Sequence, residues 1–234
     1  MIGILNAYEC DSPPQSYQLQ YSKMLLEFIR ESIPGLPARM YRIAHGEWPS
    51  SVSDCTGWII TGSSKNTIDK DLWILKLSQF IQECHRQKHQ LVGICFGHQI
   101  IAQALGGRVD QSRLGWGVGA HTFSVTTQKP WMTPFRSKIT LFFSHRYQVM
   151  QLPREATLIA KNDFCPIQMY MVNQHIFCMQ GHPEFTAEFT KSRMKSRIDE
   201  LGKELYKSAK KTLIQPSNSK IIASWIKNFL TRSF

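Results

Sequence analysis

A cysteine flanked by glycines, at the junction of an apolar strand and an apolar helix, most constrains how this chain can fold. The segment Leu91–Gly107 reads LVGICFGHQIIAQALGG. Gly93 and Gly97 lie two positions on either side of Cys95 and leave room for a sharp turn that lifts its side chain above the sheet. The following helix N-terminus directs N–H groups at the sulfur and favours thiolate. The pattern predicts a nucleophile elbow, although a lone cysteine is more often a buried core residue.

A second motif can supply the base that a nucleophilic thiol needs. An apolar run from Ile176 is predicted to be a strand, and it is followed by Gly181, His182, Pro183 and Glu184. The strand would deliver His182 at its carboxyl end, and Glu184, two residues on, can orient the imidazole. Alone, this tripeptide reads as a solvated surface turn. Together with the elbow it predicts a Cys95–His182–Glu184 triad.

The order of apolar runs predicts an α/β fold. Up to about residue 105, buried runs alternate with helical patterns at Tyr17–Ile33 and Leu72–His85, which is typical of a parallel sheet. From about 105 to 180, strands follow one another with little helix between them, which indicates an antiparallel extension. The predicted strands are Ile2–Asn6, Gly57–Thr61, Gln90–Ile94, His121–Thr127, Ile139–Ser144, Thr157–Lys161, Ile167–Val172 and Ile176–Gln180. We expect an open, mostly parallel sheet flanked by helices.

Charge separates the chain into two parts. The sequence has 28 Lys and Arg against 17 Asp and Glu, and residues 188–234 carry +7 of the net +11. We therefore expect one α/β domain over residues 1–187 and a basic helical extension over 188–234 packed on that domain, including a helix at Ser219–Leu230. The extension could dock a partner, recruit an acidic substrate or touch nucleic acid or a membrane surface, but a solvated amphipathic helix is the simplest interpretation. It carries no nucleic-acid-binding motif, so nucleic acid is not an expected partner.

The remaining composition bears on compartment and cofactors. The six cysteines are scattered without a C-x-x-C pair, and no apolar run approaches the length of a membrane span. A reducing cytoplasmic location without membrane partners is the resulting expectation. The histidines other than His145 and His182 have no ligand-like spacing and are interpreted as structural or surface residues: His45, His85, His89, His98, His121 and His175.

The elbow and the later G-H-P-E motif together resemble the class I (triad-type) glutamine amidotransferases, and especially stand-alone members similar to the glutaminase part of GMP synthase. The resemblance covers about residues 1–190 and implies the flavodoxin-like layering of that family. It implies a cysteine amidase that attacks the side-chain amide of glutamine or of a γ-glutamyl compound and passes through a γ-glutamyl thioester. It implies no metal or organic cofactor.

The resemblance also implies roles for residues outside the triad. Backbone amides of Gly62, in the turn after the strand from Gly57, and of Phe96 would form the oxyanion hole, which is commonly worth roughly 3 kcal/mol per donor. The implied substrate-binding residues are Gln99, Ser144, His145, Arg146 and Tyr147. Without the resemblance, Gly62 reads as a turn glycine and Gln99 as a helix-surface residue.

One segment departs from the family pattern. Tyr147 stands where an acidic residue is usual, and Arg146 stands where many members have glycine. The departure removes a partner for a substrate α-amino group and adds a guanidinium that could hold a carboxylate.

Several functions therefore stay open at this point. The ammonia could pass to a synthase partner in trans, because the chain has no room for a synthase domain, or the protein could be a stand-alone γ-glutamyl peptidase. A catalytically silent binding or regulatory subunit is an alternative of another class. A DJ-1-like cysteine hydrolase would share the elbow but leaves Glu184 unexplained.

Overall fold

The computed structural model describes residues 1–8, 15–32, 34–35 and 37–232, with the backbone alone for residues 15–19. Cys10 and Ile33, the predicted end of the first helix, lie outside the described residues. The elements are β1 (Ile2–Asn6), α1 (Gln15–Ser32), β2 (Ala38–Arg42), β3 (Gly57–Ile60), α2 (Leu72–Arg86), β4 (Gln90–Ile94), α3 (Phe96–Ala104), β5 (Arg108–Gln111), β6 (Gly117–Val125), β7 (Lys138–His145), β8 (Tyr147–Gln151), β9 (Ala156–Lys161), β10 (Met169–Val172), β11 (Ile176–Met179), α4 (Ala187–Ser196), α5 (Ile198–Leu201), α6 (Lys203–Thr212) and α7 (Ser219–Thr231).

A nine-stranded sheet has the order β2-β1-β3-β4-β11-β10-β9-β6-β7. The strands from β2 to β11 in this order pair in parallel, whereas β10, β9, β6 and β7 pair antiparallel with their neighbours. Strands β5 and β8 form a separate antiparallel pair. The carboxyl ends of β3, β4 and β11 meet at one edge of the sheet because these three strands are adjacent and parallel. Such an edge is where open α/β sheets place their sites.

Two apolar layers cover the faces of this sheet. Alternate residues of β1 show the division, since Ile4 packs with residues of α1 and α7 while Leu5 packs with residues of α2 and α3. Strands β1, β3, β4 and β11 are buried along their whole length, because helices cover both of their faces. The predicted α/β fold with a mostly parallel sheet and an antiparallel extension is confirmed.

The helices after residue 186 lie against the antiparallel part of the sheet and against α1. Helix α4 contacts β6 and β7, α6 contacts β6, and α7 contacts α1. Gly119 permits the close approach of α6, because a Cβ there would lie 2.5 Å from Thr212 Oγ1, and its φ is +85°. The Thr212 hydroxyl accepts a hydrogen bond from the Ala120 amide at 2.8 Å. The domain boundary at residue 187 stays a prediction.

The structure differs from the sequence expectations in segments whose apolar residues follow no clear strand or helix pattern. Strand β2 was not predicted because it lies at the edge of the sheet, where it is mostly exposed and includes Arg39 and Arg42. Strands β5 and β8 are short and polar. The helical pattern after Glu188 divides into α4, α5 and α6, with breaks at Arg197 and Gly202. Among the described residues, no helix is long and apolar enough to cross a membrane.

Candidate active site

Cys95 lies at a strained turn between β4 and α3. Its φ of 52° and ψ of −100° lie in a region that non-glycine residues rarely adopt. A Cβ on Gly93 would lie 2.7 Å from the carbonyl carbon and oxygen of Gly97, and a Cβ on Gly97 would lie 2.4 Å from the carbonyl oxygen of Ile60. The turn therefore requires glycine at both flanking positions, which is the elbow geometry that the sequence predicts.

His182 and Glu184 follow β11, the parallel neighbour of β4. The His182 Nδ1 lies 2.7 Å from Glu184 Oε1, and both side chains are buried. The imidazole stacks on Phe185 with ring centroids 3.8 Å apart. The His182 amide donates to the Phe142 carbonyl at 2.9 Å, which joins this turn to β7. Because Nδ1 faces Glu184, Nε2 is the nitrogen that can hydrogen-bond the Cys95 side chain.

The electrostatics of this group favour the imidazolium form of His182. Burial lowers the pKa of His182, but the negative charges of Cys95 and Glu184 and hydrogen bonds to both side chains outweigh burial and raise it to about 10. A positive imidazolium beside the sulfur stabilises a thiolate on Cys95. Such a pair can attack a carbonyl carbon and afterwards protonate a leaving amine.

Tyr21, on α1, contacts both the Glu184 carboxylate and the Gly62 amide. Its buried hydroxyl lies 3.2 Å from Glu184 Oε1 and accepts from the Gly62 amide at 3.2 Å. The Gly62 N–H is therefore hydrogen-bonded to Tyr21 in this structure, and its role in an oxyanion hole stays a prediction. The next residue, Ser63, lines the cavity beside Cys95 and Phe96, and within the described part of the chain no acceptor takes up its amide. Ser63 is a further candidate donor beside Gly62.

Gln99 is buried and hydrogen-bonded rather than exposed on the helix. Its Nε2 donates to the Tyr147 carbonyl at 2.7 Å and to Gln180 Oε1 at 3.0 Å. Gln180 Nε2 in turn lies 3.5 Å from Cys95 Sγ. The two glutamines therefore connect the elbow to the β7–β8 turn. Sequence reasoning missed Gln180, although it lies only two residues before His182.

The sulfur opens onto a cavity of about 320 Å³. The predicted residues Phe96, Gln99, Ser144, His145, Arg146 and Tyr147 all line it, together with Ser63, Ser64, Lys65, Asn66, Trp116, Arg197 and Glu200. The roles assigned to these residues by resemblance stay predictions, but the fold does bring the β7–β8 segment to the thiol. A cavity of this size lies at the lower end of the range for small-molecule sites.

Burial holds His145 in its neutral form. Burial lowers its pKa well below the ordinary value, and repulsion from His121, His182 and His98 lowers it further. His145 therefore adds a polar but uncharged wall. The exposed Arg146 faces Gln111, whose side-chain oxygen, when turned toward the guanidinium, accepts from Nη2 and Nε at 2.5 Å each.

Two cavity residues come from the basic C-terminal region, where sequence reasoning placed no site. Arg197 lies just before the short helix α5, and Glu200 lies within it. Their three-residue spacing puts both on one side of a helical turn, but only the packing of α4 to α6 shows which side. Among the described residues, no group of three or more His, Cys, Asp or Glu side chains could hold a metal ion.

The glutamine amidotransferase class-I family pattern matches residues 39–198, which is more than half of the chain. Gamma-glutamyl peptidase 3 of Arabidopsis thaliana is 29% identical over 157 residues, covering 64% of this chain and 63% of its own. Gamma-glutamyl peptidase 5 of the same plant is 31% identical over 156 residues, covering 64% and 62%.

The chain thus spans less than two thirds of the length of both relatives. A glutamine amidotransferase structure from Thermotoga maritima superposes with a TM-score of 0.77 at 18% identity, covering 99% of this chain and 98% of the other, and so shares the fold. On the strength of the family match, which includes Cys95, His182 and Glu184, this chain belongs to the class I glutamine amidotransferase family.

Proposed function

We propose that this chain is a cysteine amidase that cleaves the γ-amide bond of glutamine or of a γ-glutamyl compound. The observation that carries the proposal is the buried Cys95–His182–Glu184 group at the cavity, with the 2.7 Å contact between His182 and Glu184. The pKa of His182, raised to about 10, keeps the imidazolium beside the sulfur at neutral pH. Family membership agrees with this chemistry but does not by itself assign the reacting residues.

In the first half of the reaction, the Cys95 thiolate attacks the γ-carbonyl carbon and forms a C–S bond. The carbonyl oxygen becomes an oxyanion, and the Gly62, Ser63 and Phe96 amides are its candidate donors. As the C–N bond breaks, His182 Nε2 gives its proton to the departing nitrogen, so ammonia or an amine leaves. A γ-glutamyl thioester remains on Cys95.

In the second half, neutral His182 takes a proton from water, and the resulting hydroxide attacks the thioester carbon. The C–S bond breaks, glutamate leaves, and the thiolate and imidazolium are restored. Glu184 takes no proton from the imidazole; its role is to hold the ring and stabilise its positive charge. Tyr21 and Gln180 position Glu184 and Cys95 but transfer no proton.

The nature of the leaving group separates two versions of the proposal. The two Arabidopsis relatives are named gamma-glutamyl peptidases, which favours a stand-alone hydrolase of γ-glutamyl peptides. A glutaminase would instead supply ammonia to a synthase partner acting in trans. We place either reaction in the cytoplasm, on the cysteine pattern of the sequence.

The proposal is tested by measuring glutamate release from glutamine and from γ-glutamyl dipeptides by wild-type protein and Cys95→Ala. Cys55→Ala is the matched control, because Cys55 is also buried but lies outside the cavity. We expect release that Cys95→Ala abolishes and Cys55→Ala preserves. Release from dipeptides alone would select the peptidase. No release from any substrate by the folded wild-type protein would refute the amidase and favour the silent subunit.

A further inference from the structure

Helix α5 brings one cation and one anion to the cavity that holds Cys95. Arg197 lies just before α5, and Glu200 lies within it. The Glu200 amide donates to the Arg197 carbonyl at 3.0 Å, so the two residues belong to one tight turn. Both side chains line the cavity.

The Arg197 guanidinium is held in place without a polar partner. It lies over the ring of Trp116, with Cζ 5.2 Å from the ring centroid, and this cation–π contact stabilises the guanidinium at the cavity wall. Within the part of the chain that the structure describes, its nitrogens make no hydrogen bond or ion pair. Burial lowers the pKa of Arg197 to about 10, helped by repulsion from Arg193. A half-buried cation with unused donors gains from an anionic ligand.

Glu200 is the only carboxylate among the described residues that line the cavity. It is exposed and forms no ion pair with Arg197, although its charge raises the pKa of that guanidinium. The other cations of the cavity have protein partners, since Lys65 Nζ lies 3.5 Å from Asp71 and Arg146 faces Gln111.

We propose that Arg197 and Glu200 form the subsite for the α-amino-acid end of the substrate, with Arg197 taking the α-carboxylate and Glu200 the α-ammonium group. This inference rests on the proposed function, because it assumes a γ-glutamyl substrate. Glutamine and γ-glutamyl peptides share the same α-carboxylate and α-ammonium group and differ only beyond the scissile bond. The subsite therefore recognises the part that all these substrates have in common.

The subsite explains how the cavity can bind an ammonium group although the β7–β8 turn has Tyr147 in place of an acidic residue. Tyr147 offers no negative charge to the cavity, and its carbonyl already accepts from Gln99. Glu200 supplies the missing carboxylate from a different part of the fold. Arg197, with a planar fork of donors, matches a carboxylate in a way that a lysine would not.

The test measures binding of three ligands to the Cys95→Ala protein by calorimetry. Glutamate carries both groups, glutarate lacks the α-ammonium group, and 4-aminobutanoate lacks the α-carboxylate. Glu200→Gln is expected to weaken glutamate binding about 10- to 100-fold, the range of a charge-assisted hydrogen bond, and to leave glutarate binding unchanged. Arg197→Met is expected to weaken glutamate similarly and to leave 4-aminobutanoate unchanged, and Arg197→Lys should restore only part of the loss.

Each charge that is removed from the subsite has a control variant that removes a charge of the same sign from a nearby residue. Asp199→Asn and Lys195→Met alter exposed residues of the same region that do not line the cavity, and both should bind glutamate as the parent does. Thermal unfolding of every variant checks that the fold is intact. Three results would overturn the subsite. Glu200→Gln and Asp199→Asn could weaken glutamate binding equally, or Glu200→Gln could weaken glutarate binding as well. The third is that the parent protein does not bind glutamate.

The two proposals fail separately. If hydrolysis depends on Cys95 but Glu200→Gln and Arg197→Met have the wild-type kcat/KM, the subsite is refuted and the amidase is retained. Ligand binding with the expected pattern, but no hydrolysis of any γ-glutamyl substrate, would refute the amidase and retain the subsite.

Discussion

Replacing Gly97 by alanine tests the elbow most sharply. A Cβ at this position would lie 2.4 Å from the carbonyl oxygen of Ile60, against about 3.4 Å for an ordinary contact, and the opposing atom is backbone. Helix α3 and the end of β3 must therefore separate by about 1 Å. The Gly97 amide, which donates to the Thr61 carbonyl at 3.1 Å, ties the same two segments together.

The expected cost has two parts. Overpacking destabilises a protein by about 1–3 kcal/mol, and the better helix propensity of alanine returns at most about 1 kcal/mol. Displacement by about 1 Å would separate Cys95 from the loop that carries Ser63, and a misplacement of this size can lower a rate about 100-fold. We therefore expect Gly97→Ala to fold with modestly reduced stability and to lose most of its glutamate release.

Urea unfolding and glutamate release are measured on the same preparations. Gly106→Ala is the matched control: its φ of +88° strains alanine by about 1–2 kcal/mol, while no atom lies within 4 Å of the new Cβ. This control should lose stability but keep its activity. A Gly97→Ala protein with wild-type stability and activity would refute the close contact, and equal activity losses in both variants would attribute the effect to instability alone.

Three further predictions concern the triad and its supports. NMR titration should give His182 a pKa near 10, so that its ring loses the proton only as the pH rises through that value. Glu184→Gln and Cys95→Ala should each lower this pKa by removing a negative charge. An unchanged pKa of His182 in both variants would contradict the assigned causes. Tyr21→Phe removes a hydroxyl that bonds two buried groups and should destabilise the protein by about 1–3 kcal/mol in urea unfolding, whereas wild-type stability would contradict this role. Gln180→Leu removes the amide beside the sulfur and should slow iodoacetamide alkylation of Cys95, which an unaltered rate would disprove.

Local sequence patterns were enough to predict the elbow and the H-P-E turn. The close spacing of Gly93, Cys95 and Gly97 specifies the turn, and the two-position spacing of His182 and Glu184 places both side chains at the same strand end. The buried strands were predictable for a similar reason, because helices cover both of their faces and leave continuous apolar runs. Most strand and helix boundaries shift by only one or two residues.

The supporting residues could not be predicted, because their roles depend on contacts between distant parts of the chain. Tyr21 reaches Glu184 across 163 positions, and no local pattern marks it. Arg197 and Glu200 belong to a basic segment whose composition indicates only an amphipathic helix. Their place in the cavity follows from the packing of α4 to α6 on β6 and β7. The hydrogen bond from the Gly62 amide to Tyr21 was not predictable either, because it joins residues 41 positions apart.

The central claim is that Cys95 forms a γ-glutamyl thioester. The most direct measurement is rapid acid quenching of the wild-type protein during turnover of glutamine or a γ-glutamyl dipeptide, followed by peptide mass spectrometry. We predict a γ-glutamyl group on the peptide that contains Cys95, absent without substrate and absent in Cys95→Ala. Glutamate release that persists in Cys95→Ala with no adduct on any cysteine would contradict the account.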